Sequence, residues 1–182
     1  MPLTLSELFD LYETRGGDSY GEEVTQLQHA LQSALQAEQT GASGALITAA
    51  LFHDVGHLLH RDAGAALAAG VDSRHEALGA KALAPLFGAE VVEPVAQHVE
   101  AKRYLCHLDP GYWDGLSEVS KQTLVLQGGP MTEAEALAFI ATPFAEDAVR
   151  LRCWDEAAKQ PDLQTPDLRY YRPIAERCLI GG

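Results

Sequence analysis

Four histidines and two aspartates have the chemistry of transition-metal ligands, and they are widely and regularly spaced: His29, His53, Asp54, His75, His98 and Asp155. Neutral imidazoles mixed with carboxylates suit zinc, iron, nickel or copper, whereas all-carboxylate sites suit magnesium and calcium. These six side chains are more than one tetrahedral ion with an open position would use. His53 and Asp54 are adjacent within LFHDVGHLLH, so the histidine could bind one metal while the carboxylate, with two oxygens, bridges to a second. A buried carboxylate without a partner is costly, and a bound metal supplies the missing charge. The chain therefore reads as a two-metal enzyme. Taken singly, His75 and His98 would read as hydrogen-bonded core histidines and Asp155 as a solvated helix residue; the set carries the inference. His60 and His107 fit no such pattern and read as surface histidines.

Helices must position these ligands, because apolar residues recur at helical rather than alternating spacing through most of the chain. The pattern predicts helices over about 3–14, 22–40, 43–60, 74–87, 89–103, 117–126, 132–140, 144–158 and 172–180, with ends uncertain by about 2–4 residues. Loops follow from RGGDSYG, RDAG, PGYWDG, QGGPM and KQPDLQTPD. Thr132 with Glu135 three residues on is a capping-box pattern. Strand signals are nearly absent, so the expected fold is all-α, a helical bundle in a single domain over residues 1–182. His53 and Asp54 fall in an apolar helix expected to be central, with His57 one turn on and on nearly the same face. Lys102 likewise follows His98 by one turn.

Composition narrows the function classes. Apolar content of 47% and charged content of 21% are those of a soluble globular protein, and a chain of this length can bury a full core around polar ligands. The formal net charge of −13 argues against general nucleic-acid or membrane-surface affinity. An anionic substrate stays open, since metals and a few local bases can dominate a site's potential. MPLTLSELFDLYETRG is not a signal peptide pattern, and no stretch approaches the roughly 20 apolar residues that span a bilayer. Cys106, Cys153 and Cys178 are odd in number and widely spaced, which fits a reduced, cytoplasmic protein.

The order His29, His53-Asp54, Asp155 resembles the HD-domain superfamily, and the intervening His75 and His98 resemble its dinuclear branch. More narrowly, GEEVTQLQHALQSA, AALFHDVGHL, RHEALGAKAL, VAQHVEAKRYL, LSEVSKQTLVLQGGPM and LRCWDEAAK are similar to segments of the mixed-valent di-iron oxygenases that cleave carbon–phosphorus bonds. These segments run in family order from about Gly21 to Lys159. The resemblance implies one iron held by His29, His53, Asp54 and Asp155 and a second held by Asp54, His75 and His98. It also implies a phosphonate pocket of His57, Lys102, Ser120 and Thr123, with Asp54, His57 and Lys102 as the catalytic side chains. A dianionic phosphonate needs varied donors, and a lysine, an imidazole and two hydroxyls provide them. The implied cofactors are two Fe ions as an Fe(II)/Fe(III) pair, with O2 as co-substrate. The implied reaction converts a 1-hydroxyalkylphosphonate, a small organophosphonate, to phosphate and a carboxylic acid. A metal-dependent HD phosphohydrolase acting on a nucleotide or other phosphoester is the alternative.

One segment departs from the resembled pattern. In that family a tyrosine three residues before a loop glutamate covers the open iron position; aligning on Gly21-Glu22 puts Ser19 there. A one-residue shift pairs Tyr20 with Glu23 instead. Either Tyr20 takes the lid role, with Glu22 or Glu23 able to meet a cationic substituent, or the lid is missing and substrate preference differs.

Overall fold

The computed structural model describes residues 2–19, 23–59 and 72–181. These form eleven helices: α1 (Leu5–Arg15), α2 (Gln26–Gln39), α3 (Gly44–Phe52), α4 (Val55–Leu59), α5 (His75–Leu83), α6 (Ala89–Leu108), α7 (Pro110–Gly115), α8 (Glu118–Leu126), α9 (Glu133–Ile140), α10 (Ala145–Ala157) and α11 (Leu168–Glu176). Among the described residues, extended pairing is limited to one isolated bridge between Phe87 and Leu179. The all-α expectation holds. Reciprocal capping boxes start three helices, at Thr4 with Glu7, Thr25 with Gln28, and Thr132 with Glu135. Each satisfies two backbone or side-chain donors at a helix N-terminus that would otherwise lack partners.

The apolar segment GALITAALF explains the centre of the bundle. α3 buries every residue from Leu46 to Phe52, and a helix apolar on all sides is stable only when surrounded. It packs against α2, α6, α10 and α11, while α6 also packs on α5 and α10. Phe52 anchors the lower end of this core: Phe9 meets it edge-on at 5.4 Å between ring centroids. Burying a ring of this kind contributes about 1.5–3 kcal/mol.

Four predicted elements need correction. The helix expected over 43–60 breaks: α3 ends at Phe52, His53-Asp54 form a turn, and α4 begins at Val55. Neighbours on an unbroken helix point about 100° apart, and the break lets both face one centre. Gly56, just beyond it, touches the start of α5 so closely that a Cβ there would lie 1.9 Å from the His75 carbonyl oxygen. The helix expected over 89–103 continues to Leu108, ending where Asp109 turns extended. PGYWDG, expected as a loop, is the short helix α7, because Asp109 caps it and Pro110 occupies the first helical position. The helix expected over 172–180 is Leu168–Glu176, started by Asp167 accepting from the Tyr170 backbone.

Candidate metal centre

Five elements converge on the centre of the bundle. α2 supplies His29, the turn after α3 supplies His53 and Asp54, α5 opens with His75, α6 carries His98, and α10 carries Asp155. All are buried except Asp54, whose side chain is 15% exposed, so solvent reaches the centre at that carboxylate. Backbone carbonyls aim three of the rings. His53 Nδ1 donates to Ala50 O at 2.9 Å, one of the carbonyls left over at the end of α3. His98 Nδ1 donates to Val95 O at 2.7 Å, and His29 Nδ1 to Ala158 O at 2.9 Å, just past the end of α10. A carbonyl can only accept, so each Nδ1 carries a proton and each Nε2 is the ring atom left to face inward as a possible ligand.

The Nε2 atoms meet one another in pairs. His29 Nε2 lies 3.2 Å from His53 Nε2, and His75 Nε2 lies 3.0 Å from His98 Nε2. Asp54 divides its oxygens between the pairs: Oδ2 is 3.5 Å from both His29 and His53, while Oδ1 is 3.4 Å from His75 and 3.7 Å from His98. Asp155 Oδ1 joins the first pair, 3.2 Å from His29 Nε2 and 3.8 Å from His53 Nε2. Two groups able to hold a metal ion result, His29 with His53 and Asp54, and Asp54 with His75 and His98. A cation between the paired Nε2 atoms would be held by neutral imidazoles and the shared carboxylate, and such mixed donors suit a borderline transition metal such as iron. The donor set fits two such ions.

Electrostatics within the protein alone already reflect this crowding. Burial opposes charge on Asp54, yet His53 first, then His57, His75 and His29, hold its carboxyl far below the usual carboxylate range. Burial likewise opposes charge on His53, but Asp54 and Asp155 together outweigh it and hold the ring up at about 9. Burial and then the neighbouring His53 push His98 down to about 4.

A second cluster lies beside the ligands. Lys102, buried on α6, donates to Thr123 Oγ1 at 3.0 Å, and Thr123 donates to Ser120 O at 3.1 Å. Burial and the nearby Arg152 draw the Lys102 ammonium down to about 7. His57 stacks on His75, rings 4.0 Å apart and nearly parallel at 16°. Ser120 meets a residue that the sequence reading did not single out, Lys159, which donates to its Oγ at 3.1 Å and to Ser117 Oγ at 3.2 Å. Arg152 was missed as well. Its guanidinium donates to Asp155 Oδ2, Glu156 Oε2 and, at 2.9 Å, the Tyr112 hydroxyl. The signal was present in RCWDEAAK: Arg152, Asp155, Glu156 and Lys159 recur at helical spacing on a segment otherwise built for packing. Tyr20, Glu22 and His60 lie outside the described residues. His107 lies on α6, away from both ligand groups.

Fold and site together define a helical protein with room for two metal ions on one shared carboxylate. The HD domain family matches residues 27–141. Hydroxymethylphosphonate dioxygenase of Gimesia maris is 47% identical over 178 residues, covering 96% of this chain and 88% of the relative. [1-Hydroxy-2-(trimethylamino)ethyl]phosphonate dioxygenase (glycine-betaine-forming) of Leisingera caerulea is 39% identical over 170 residues, covering 93% and 87%. The chain belongs to the HD-domain family and, within it, to the phosphonate dioxygenases.

Proposed function

We propose that this protein is a di-iron oxygenase that cleaves the C–P bond of a 1-hydroxyalkylphosphonate with O2, releasing phosphate and a carboxylic acid. The observation that carries this reading is Asp54, whose two oxygens face separate histidine pairs while a lysine and hydroxyl cluster stands alongside. The names of the two relatives agree with it, since both act on hydroxylated phosphonates. Atoms balance without an external reductant: the hydroxyphosphonic acid loses its C–H and C–P bonding electrons, and one O2 takes up all four.

In this reading His29, His53, Asp54 and Asp155 hold one iron, and Asp54, His75 and His98 hold the other. A mixed-valent Fe(II)/Fe(III) pair would supply the redox chemistry for O2 and acidify the substrate hydroxyl. The chain's own groups do the rest. Lys102, Ser120, Thr123 and His57 bind the phosphonate, turning the C1–H bond toward the centre and fixing it there. Thr123 keeps the Lys102 ammonium at the pocket wall, so the incoming anion meets a charge already in position. Tyr20 and Glu22 are assigned to substrate binding. The three free cysteines support a cytoplasmic setting, and no helix among the described residues is long and apolar enough to cross a membrane.

The test is phosphate release from hydroxymethylphosphonate and its trimethylammonium-bearing homologue, with and without air, with iron counted in the purified protein. Release that requires O2 and tracks iron content supports the reading. Undiminished release under anaerobic conditions would mean hydrolysis and would overturn it.

A further inference from the structure

The polar face of α10 continues past the metal ligand. Asp155 turns Oδ1 toward His29 and Oδ2 toward Arg152; Arg152 reaches Glu156; and Glu156 Oε1 lies 3.5 Å from Lys159 Nζ. Lys159 then meets Ser117 and Ser120 at the start of α8. One turn further along α8, Lys102 meets Thr123. Two ammonium groups therefore flank the same turn of one helix, with Arg152 close enough to act on Lys102 as well. Asp155 and Glu156 offset Arg152 and Lys159. Lys102 adds a further cation whose hydrogen-bond partner is the neutral Thr123 hydroxyl, so an anion entering between the two lysines is favoured. Lys159 adds to the pressure that pushes Lys102 down to about 7, and a bound dianion would relieve it.

We propose that Lys159 is a second cation of the phosphonate pocket, contacting the phosphonate oxygens together with Lys102 and held in place by Glu156. The proposal rests on the phosphonate reading given above. Its chemistry is simple. Ser120 Oγ accepts from Lys159, which leaves the serine's own O–H to donate to the ligand. The phosphonate then receives charge-assisted bonds from two sides rather than one. Glu156 is a positioning residue here, because its carboxylate spans Arg152 and Lys159 and so ties the pocket to the Asp155 ligand.

Steady-state kinetics of Lys159→Met, Lys159→Arg and Glu156→Gln test the idea, with inorganic phosphate as a competitive probe and iron content and Tm measured alongside. Lys159→Met should raise both KM and the phosphate Ki roughly tenfold to hundredfold, the loss of one charge-assisted hydrogen bond. The saturated rate should fall much less, and iron content should hold. Lys159→Arg should recover most of the loss, and Glu156→Gln should show an intermediate KM. KM and Ki within about twofold of wild type in folded, iron-loaded Lys159→Met would overturn the proposal. Should that variant not fold, Lys159→Gln keeps hydrogen-bonding reach to both serines while removing the charge. Calorimetric titration of inorganic phosphate into Lys159→Gln then decides, an unchanged Kd overturning the assignment and a weakened one supporting it. If wild type releases no phosphate from any hydroxyphosphonate, the phosphonate reading fails, and the same titration still judges Lys159 as an anion-binding residue.

Discussion

Asp54 has two sides, and the protein holds them differently. Facing Oδ2, His29 and His53 each have Nδ1 pinned to a carbonyl, and Asp155 is gripped by the buried Arg152. Facing Oδ1, His98 is pinned in the same way, but His75 has Glu76 Oε2 at 3.7 Å, and that oxygen is buried without a hydrogen-bond partner. His75 also follows Arg74, which takes a left-handed backbone conformation with φ of 49°, a strained one for a non-glycine residue. In the proposed assignment the first side has four protein ligands oriented in advance. The second has three, less firmly held and stacked against His57. A metal on the second side keeps more positions for outside ligands, as open catalytic sites do. On the proposed function, that difference would make the first side the anchor and the second the one that receives substrate.

The largest effect should come from removing what the two sides share. Asp54→Asn should cut phosphate release by about a thousandfold or more and lower metal content on both sides, because a bridging carboxylate serves each ion. Two metals retained at wild-type affinity in that variant would break the bridge assignment. Next come single histidines. Loss of His98 leaves the second side with His75 and one Asp54 oxygen, whereas loss of His29 leaves the first side with three ligands. His98→Ala should therefore bind close to one metal per chain, while His29→Ala should keep two with one bound roughly ten to a hundred times more weakly. Equal metal loss in both variants, read by elemental analysis, would erase the contrast.

Arg152→Leu tests whether the anchoring side depends on its grip. It strands Asp155 and Glu156 with a lost partner in a buried setting, which costs about 3–5 kcal/mol. Thermal unfolding of the metal-free protein should show the drop, and Arg152→Lys should recover part of it. Metal-free stability within about 1 kcal/mol of wild type would mean that the grip adds little.

The convergence of the six candidate ligands was legible in the sequence because their types are rare in apolar helical segments, so burial and chemistry could be inferred together. The sequence did not carry the break at His53-Asp54, since nothing in ALFHDVG interrupts helical periodicity; contact between Gly56 and the His75 backbone is a tertiary fact. Arg152 and Lys159 were hidden for a different reason. Charged residues at helical spacing usually mark a solvated face. Tertiary packing buries Arg152 on α10, and Lys159, just past the end of that helix, meets Ser117 and Ser120 only through the folded chain. The capping boxes were legible because they are local, requiring just two residues three apart.

The smallest effect, and the one that separates the receiving side's pocket from its metal ligands, is a pH limb set by Lys102. Its ammonium, ordinarily near 10.5, is drawn down to about 7 by burial and by Arg152. The sign follows from proton counting. Between about pH 7 and 10.5 the unfolded chain binds a proton that the folded chain lacks, so this group's contribution to stability rises with pH there and is lost as pH falls toward 7. Substrate binding runs the other way, because the phosphonate needs the charged form. With phosphate release as the readout, kcat/KM should decline about tenfold per pH unit above 7, following one proton on the free enzyme. Lys102→Arg keeps its charge throughout this range and should carry no such limb, although its fork will fit the Thr123 site less well. A limb that survives unchanged in Lys102→Arg would belong to the metal ligands, and the pocket would then lose its claim to control substrate entry.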